Sequence, residues 1–316
     1  LRLLSLAILL LACAAATLAG PQWLNPLQLD EVGRGILVEL RLPRVLFAAL
    51  IGAMLGLAGS VYQLTLKNPL ADSFTTGAAS SSALGAVLAI ALGVPGHWVA
   101  LCAFATGLGG LGLVYRLSQT RGRINPITMI LAGVVMNIVA SAIISFSKYY
   151  FEDSLNAIVY WLMGGIFLVS WDRLLLCAVL LTGVYLFLSR RAQALNLLSL
   201  DEASAQSLGV NVKRLRSWAF VFSTLMVAVA VSFSGIIGFV GLIVPHVARS
   251  LFGSDMKLNL FYSALMGSGL LVASDALSRT VIPGGAELPV GIITAILGGG
   301  FFFYLLQTRR EALWHG

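Results

Sequence analysis

Apolar runs recur from one end of the chain to the other, each approaching the ~20 residues that a helix needs to cross a hydrocarbon layer. Bounded by proline, glycine and charge, they read as ten crossings: 3–19, 45–64, 77–93, 98–115, 127–146, 174–188, 218–233, 239–252, 258–277 and 289–307. The eighth is the least secure, being short and holding Pro245. A barrel strand would alternate apolar and polar positions over ~10 residues, whereas 174–188 is almost continuously apolar. With 59% apolar and 10% charged residues, the chain has no room for a soluble block. The expectation is an all-α polytopic membrane protein, one transmembrane domain over 1–316, with about ten transmembrane helices.

Charge sets the orientation. Ten crossings leave both termini on one side, and placing that side in the cytoplasm sends Arg2, Lys67, Arg116, Arg121, Arg123, Arg190, Arg191, Lys213, Arg214, Arg216, Arg249, Lys257, Arg309 and Arg310 inward. Arg34, Arg41, Arg44, Lys148, Arg173 and Arg279 remain outside, among Asp30, Glu31, Glu39, Glu152, Asp153, Asp172 and Glu287. This asymmetry is the usual bias of cytoplasmic loops, so the net charge of +7 does not call for nucleic acid. Cys13, Cys102 and Cys177 lack metal-ligand spacing and read as small apolar residues. Residues 3–19 imitate a signal segment, and Leu10 to Cys13 a lipoprotein site. With Arg2 alone before the run, the expectation is a first crossing rather than a cleaved leader.

Two connections stand out. On the basic side, 199–216 reads either as a short surface helix, capped by Ser199 or Asp201 and ended by Gly209 in a left-handed turn, or as a solvated loop. On the other side, 157–164 reads as a short surface or re-entrant helix with Trp161 at the interface. Gly59, Pro69, Gly77 and Gly93 recur 176 residues later as Gly235, Pro245, Gly253 and Gly269. If this is a repeat, it relates crossings of opposite direction, an inverted arrangement found in transporters. Glycines inside crossings, such as Gly52, Gly56 and Gly59, suit close helix packing, and Gly298 to Gly300 suit a bend or a close interface.

Chemistry-bearing groups are scarce. Asp275 is the one acid well inside an apolar run, and Arg279, one turn on, is positioned to pair with it. His246 has no neighbouring ligand residue to build a metal site. No phosphate-binding Gly-x-x-x-x-Gly-Lys-Ser/Thr loop surrounds any of the four lysines, and no catalytic triad or His-Glu-x-x-His pattern is present. The reading is a transport chain, not an enzyme, with no cofactor of its own. Any ATPase, with its ATP and magnesium, sits on a separate subunit. The competing class, an ion-coupled secondary transporter, would normally bury more acids or bases at mid-membrane depth.

Several motifs then carry a resemblance. Arg41-Leu-Pro-Arg44, Asn68-Pro-Leu-Ala71, Tyr160-Trp-Leu-Met-Gly-Gly165, Ser207-Leu-Gly-Val-Asn211, Gly238-Phe-Val-Gly-Leu-Ile-Val-Pro-His246 with Arg249, and Glu287-Leu-Pro-Val-Gly-Ile-Ile-Thr294 occur in order. Together they resemble the FecCD-type, vitamin B12 permease-like subunits of ABC importers for iron chelates, haem and cobalamin. Gly298-Gly-Gly-Phe301 departs from the Gly-Ala-Pro-Phe type of run usual there.

The resemblance implies a homodimer of ten-helix subunits with a central pathway, two ATP-binding cassette subunits, a periplasmic or lipid-anchored substrate-binding protein, and a place in the bacterial inner membrane. It also implies residue roles. Arg41, Arg44 and Arg279 would dock the binding protein. Asp201, Glu202, Leu208, Gly209 and Val210 would lie in the ATPase-coupling segment. Asn125 and Pro126 would form a cytoplasmic gate. The fifth and tenth crossings would line the path, with Met136, Asn137, Ser141 and Ser145 as candidates, each equally readable as ordinary packing. A ferric siderophore is the favoured cargo, ahead of cobalamin and haem.

Overall fold

The computed structural model describes residues 2–20, 30–120, 123–166, 169–199, 202–282 and 286–308. In chain order its helices begin with α1 (Arg2–Leu18), α2 (Glu31–Gly35), α3 (Leu42–Thr65), α4 (Ala78–Ala91), α5 (Gly96–Leu117), α6 (Pro126–Tyr150) and α7 (Leu155–Leu162). They continue with α8 (Trp171–Arg190), α9 (Ala192–Leu197), α10 (Glu202–Ser207), α11 (Val212–Ser234), α12 (Val240–Phe252), α13 (Met256–Thr280) and α14 (Val290–Thr308). Each of the ten apolar runs is therefore a helix. Among the described residues, extended structure is confined to a two-stranded antiparallel ribbon, β1 (Gln119–Thr120) with β2 (Arg123–Ile124).

Among the described residues, six helical stretches are long and apolar enough to cross a membrane: α5, α6, α8, α11, α13 and the stretch Glu31–Thr65. That last stretch joins α2 to α3 through a π-helical turn, Ile36–Arg41. The short helix expected at 157–164 is α7, and Gly209 does adopt a left-handed φ of 82°.

Helix α3 is the centre. It packs on α1, α8, α11, α12 and α13, and its residues from Ile51 to Gln63 are all buried. Such all-round burial needs an all-round apolar helix with little bulk, and the sequence supplies glycine where backbones meet. A Cβ on Gly52 would lie 2.2 Å from the Gly267 carbonyl oxygen of α13, and one on Gly59 would lie 1.8 Å from that of Gly241 in α12.

Helix α12 has 13 residues, a rise of about 20 Å, short of the ~30 Å hydrocarbon core. Non-helical backbone precedes it from Gly235, and it is accommodated because protein surrounds it. Gly165 N donates to Ser234 O at 2.8 Å, and Gly291 N to Gly164 O at 3.3 Å. The connection before α4 is similarly satisfied. Asp72 Oδ1 accepts from the N–H groups of Phe74 and Thr75, and Thr75 Oγ1 accepts from Asp72 N.

The offset of 176 residues does not mark equivalent places. Gly59 lies inside α3 but Gly235 follows α11 with a φ of 66°. Pro69 lies in a turn but Pro245 inside α12, and Gly93 follows α4 but Gly269 lies inside α13. Glycine is common enough here for the spacing to arise by chance.

Candidate functional site

The ends of the helix bundle and one exposed helix carry the candidate residues. At the end where α3 begins, Arg44 Nε donates to Asp275 Oδ1 at 2.9 Å and its Nη1 to Glu287 Oε2 at 2.8 Å. Arg279 Nη2 lies 3.1 Å from Asp275 Oδ2. The expected Asp275–Arg279 pair therefore exists, inside a four-member network that adds Arg44 and Glu287.

This network bears on the docking set. Arg279 is 3% exposed, and its Nη1 and Nη2 donate to the carbonyls of Ala19 and Ala16 at 2.8 and 3.1 Å. Arg41 Nη1 reaches Leu18 O at 2.8 Å. The last carbonyls of a helix have no partner within it, and here arginines from the α2–α3 stretch and α13 satisfy those of α1. Arg279 is thus a buried capping residue, with no face left for a docking partner. The Arg44 side chain keeps 17% exposure and Arg41 is half-buried, so these two remain at the surface.

At the opposite end, α8 gives way to α9, α10 and α11. Asp201 lies outside the described residues, and Glu202 begins α10. The Ser199 hydroxyl donates back to Asn196 O at 2.6 Å, closing α9. Ala205 is buried beneath the segment, while Leu208 is 61% exposed beside Gly209, and Val210 N returns to Ala205 O. Leu208 is thus presented outward at this turn, and Asn211 Oδ1 caps α11 by accepting from Arg214 N.

Sequence reasoning missed α9 and what it holds. Asn196 Oδ1 accepts from Met256 N at 2.8 Å, fixing the start of α13. Nearby, Gln63 Nε2 donates to Leu242 O at 3.1 Å, and Arg249 Nη2 donates to Gln63 Oε1. Arg249 stood in a recognised motif, but its partner lies 186 residues away. A cavity of about 290 Å³ opens among Lys67, Asn68, Asn196, Arg249 and Met256. In the adjacent connection, burial pushes the Asp72 carboxyl above its ordinary range, against the N–H and hydroxyl hydrogen bonds around it.

Asn125 and Pro126 open α6. Asn125 Oδ1 accepts from the N–H groups of Ile127 and Thr128, and Pro126 occupies the first turn, where its missing N–H costs nothing. Along α6, Asn137, Ser141 and Ser145 follow at four-residue spacing, the first half-buried and the others exposed. They form a polar stripe between exposed Ile138, Val134 and Phe146. Met136 faces elsewhere, toward Gly77 at the start of α4 and the core. His246 packs edge-on to Phe301, their rings 6.1 Å apart. Gly298 lies under the ring of Phe239, the residue before α12, whereas a Cβ on Gly299 or Gly300 would meet open space, so only the first of the three glycines serves a close approach.

The profile of the FecCD transport family matches residues 3–308. A permease protein assigned to an iron chelatin transport system of Helicobacter pylori is 39% identical over 276 residues, covering 87% of this chain and 83% of that protein. The vitamin B12 import system permease protein BtuC of Klebsiella pneumoniae is 35% identical over 315 residues, covering 98% and 94%. Among solved structures, an inward-facing ABC transporter assigned to the metal-chelate type superposes with a TM-score of 0.89 at 33% identity, covering 97% of this chain and 98% of its own.

Proposed function

The chain belongs to the FecCD transport family, and from that membership we propose that it is the permease subunit of an ATP-driven importer carrying a metal chelate across the bacterial inner membrane. The full-length likeness to an ABC transporter of the metal-chelate type carries this reading. In it, all ten apolar helices cross the bilayer, both termini lie in the cytoplasm, and two copies enclose a path between their α6 and α14 helices. Asn137, Ser141 and Ser145 line that path, and Asn125 and Pro126 set its cytoplasmic mouth.

Two ATP-binding cassette subunits seat on 199–216, with Leu208, Gly209 and Val210 as the packed contact and Asp201 and Glu202 at its edge. A substrate-binding protein docks at the opposite end, against Arg41 and Arg44. ATP hydrolysis on the partners shifts which end of the path is open. The chain itself contributes walls and levers rather than catalysis. The neutralised state of Asp275, held between two arginines, supports this over an ion-coupled carrier, which needs a carboxylate free to load and release its ion.

The cargo favoured is a ferric siderophore, in keeping with the iron chelatin relative. Cobalamin is the second reading, supported by the vitamin B12 permease relative that spans almost the whole chain; haem is the third. The test is ATPase turnover of the complex in proteoliposomes, challenged with each chelate on its binding protein. Stimulation by a ferric siderophore is expected. Stimulation by cobalamin alone would transfer the assignment to the second reading. Uphill uptake by the isolated chain under a proton gradient would overturn the permease role.

A further inference from the structure

Helices α5 and α8 both rest on α11 and stand largely apart from each other. Between them lies a groove of about 490 Å³ floored by Phe104, Leu176, Leu180, Val229 and Phe233. Its mouth is at the end of the bundle where α5 and α8 begin, the end that also holds Arg44 and Glu287. His97 and Arg173 stand on the rim. The Arg173 guanidinium lies 5.4 Å from the centre of the Phe233 ring, and among the described residues it has neither a hydrogen bond nor an ion pair. Asp172, next to it in sequence, does not line the groove.

A half-buried cation over an apolar floor, without an anion of its own, is costly unless an anion arrives from outside. Three features say what kind. The floor is hydrocarbon-like and continues about two turns down α8 from Arg173, so the occupant has an apolar tail. The rim offers a guanidinium and an imidazole, a donor pair suited to phosphate oxygens. Flanking the mouth, Trp98 and Trp171 are half-exposed, as aromatic residues at the level of lipid headgroups are.

We propose that this groove is a binding site for an anionic phospholipid of the outer leaflet, its phosphate held by Arg173 and His97 and one acyl chain lying between α5 and α8. A headgroup without its own ammonium is preferred, because an ammonium would compete with Arg173 for the phosphate. The bound lipid fills the cleft above α11, the helix that rises directly from the coupling segment. The site is independent of the cargo.

The test is photolabelling of the full chain in nanodiscs with a phosphatidylglycerol carrying a diazirine in its acyl chain. Labelled peptides are expected from α5 around Leu101 to Phe104 and from α8 around Leu176 to Leu180. Excess phosphatidylglycerol should compete, whereas phosphatidylethanolamine and soluble glycerophosphate should not. Losing one charge-assisted contact to phosphate corresponds to about a tenfold fall in labelling for Arg173→Ala. Leu176→Trp, which fills the floor and keeps the charge, should abolish labelling there, with both variants checked for monodispersity and thermal midpoint. Unchanged labelling in both well-folded variants, or equal competition by phosphatidylethanolamine, would overturn the proposal.

Discussion

Replacing Arg279 by Met separates the two roles that an arginine at this place could have. Met is similar in length and apolar, so it fills the space of a side chain that is 3% exposed without opening a large cavity. It removes two hydrogen bonds from a charged donor to the Ala19 and Ala16 carbonyls, a third from Nε to Asp275 O within α13, and one side of the pair with the Asp275 carboxylate. Hydrogen bonds from charged groups contribute about 1.5–3 kcal/mol each. Arg44 still holds Asp275, so the loss falls mainly on the two bonds to α1, about 3 kcal/mol in all at the lower value. At 1.4 kcal/mol per tenfold, the undocked fraction of α1 rises on the order of 100-fold. Cys13 is a native reporter, since it lies on α1, part-buried against the core. Its alkylation by a maleimide, resolved from Cys102 and Cys177 by peptide mass, should accelerate strongly in Arg279→Met and only partly in Arg279→Lys, which keeps charge but not the fork of donors. Parent-like labelling of Cys13 together with weakened association of the binding protein would refute the capping assignment and return Arg279 to the docking surface.

Other expectations can be checked together. Leu208→Asp should leave the thermal midpoint of the chain unchanged, because the side chain is 61% exposed, and should weaken association with the ATPase subunits by at least about tenfold, the burial of one leucine being worth ~1.5–3 kcal/mol; pull-down titration measures it. Gly209→Ala places a Cβ at a φ of 82°, costing about 1–2 kcal/mol, and should lower chelate-stimulated ATP hydrolysis in proteoliposomes while the complex still assembles. Gly59→Ala should sharply reduce folded yield on size exclusion, since its Cβ would fall 1.8 Å from the Gly241 carbonyl, whereas Gly269→Ala, meeting only Leu9 at 3.9 Å, should not. Arg41→Glu should weaken binding-protein docking in a salt-sensitive way; identical affinity in a binding titration would remove Arg41 from that surface. It is a cleaner test than Arg44→Glu, which would put a third acid beside Asp275 and Glu287.

The helices were legible because a chain that spans lipid must satisfy its backbone within each helix and cover it with apolar side chains, so length and polarity alone placed 45–64 inside α3 and 258–277 inside α13. The turn at Gly209 was legible for a local reason, since one residue type suits that φ. What stayed hidden depended on distance in sequence. Charge counting puts Arg279 with the outer cations, but does not reveal that Ala16 and Ala19 come within reach of its guanidinium. The Gln63–Arg249 pair and the cap that Asn196 gives to α13 are hidden in the same way. Segment 30–41 mixes polar and apolar residues without a clean period, which concealed α2 and the π-helical turn. The 176-residue offset misled because glycines serve helix crossings, turns and caps alike.

At one terminus α3 is tied by Arg44 to Asp275 and Glu287, and at the other by Gln63 to Leu242 and Arg249, with the neighbouring Tyr62 donating a buried hydrogen bond to Thr224 of α11. With glycines pressing its backbone onto α12 and α13 between those ties, it behaves as a keel. In the proposed transport cycle that spine stays intact while the path opens and closes, so the swing falls to the helices outside it, α6 and α14 first among them.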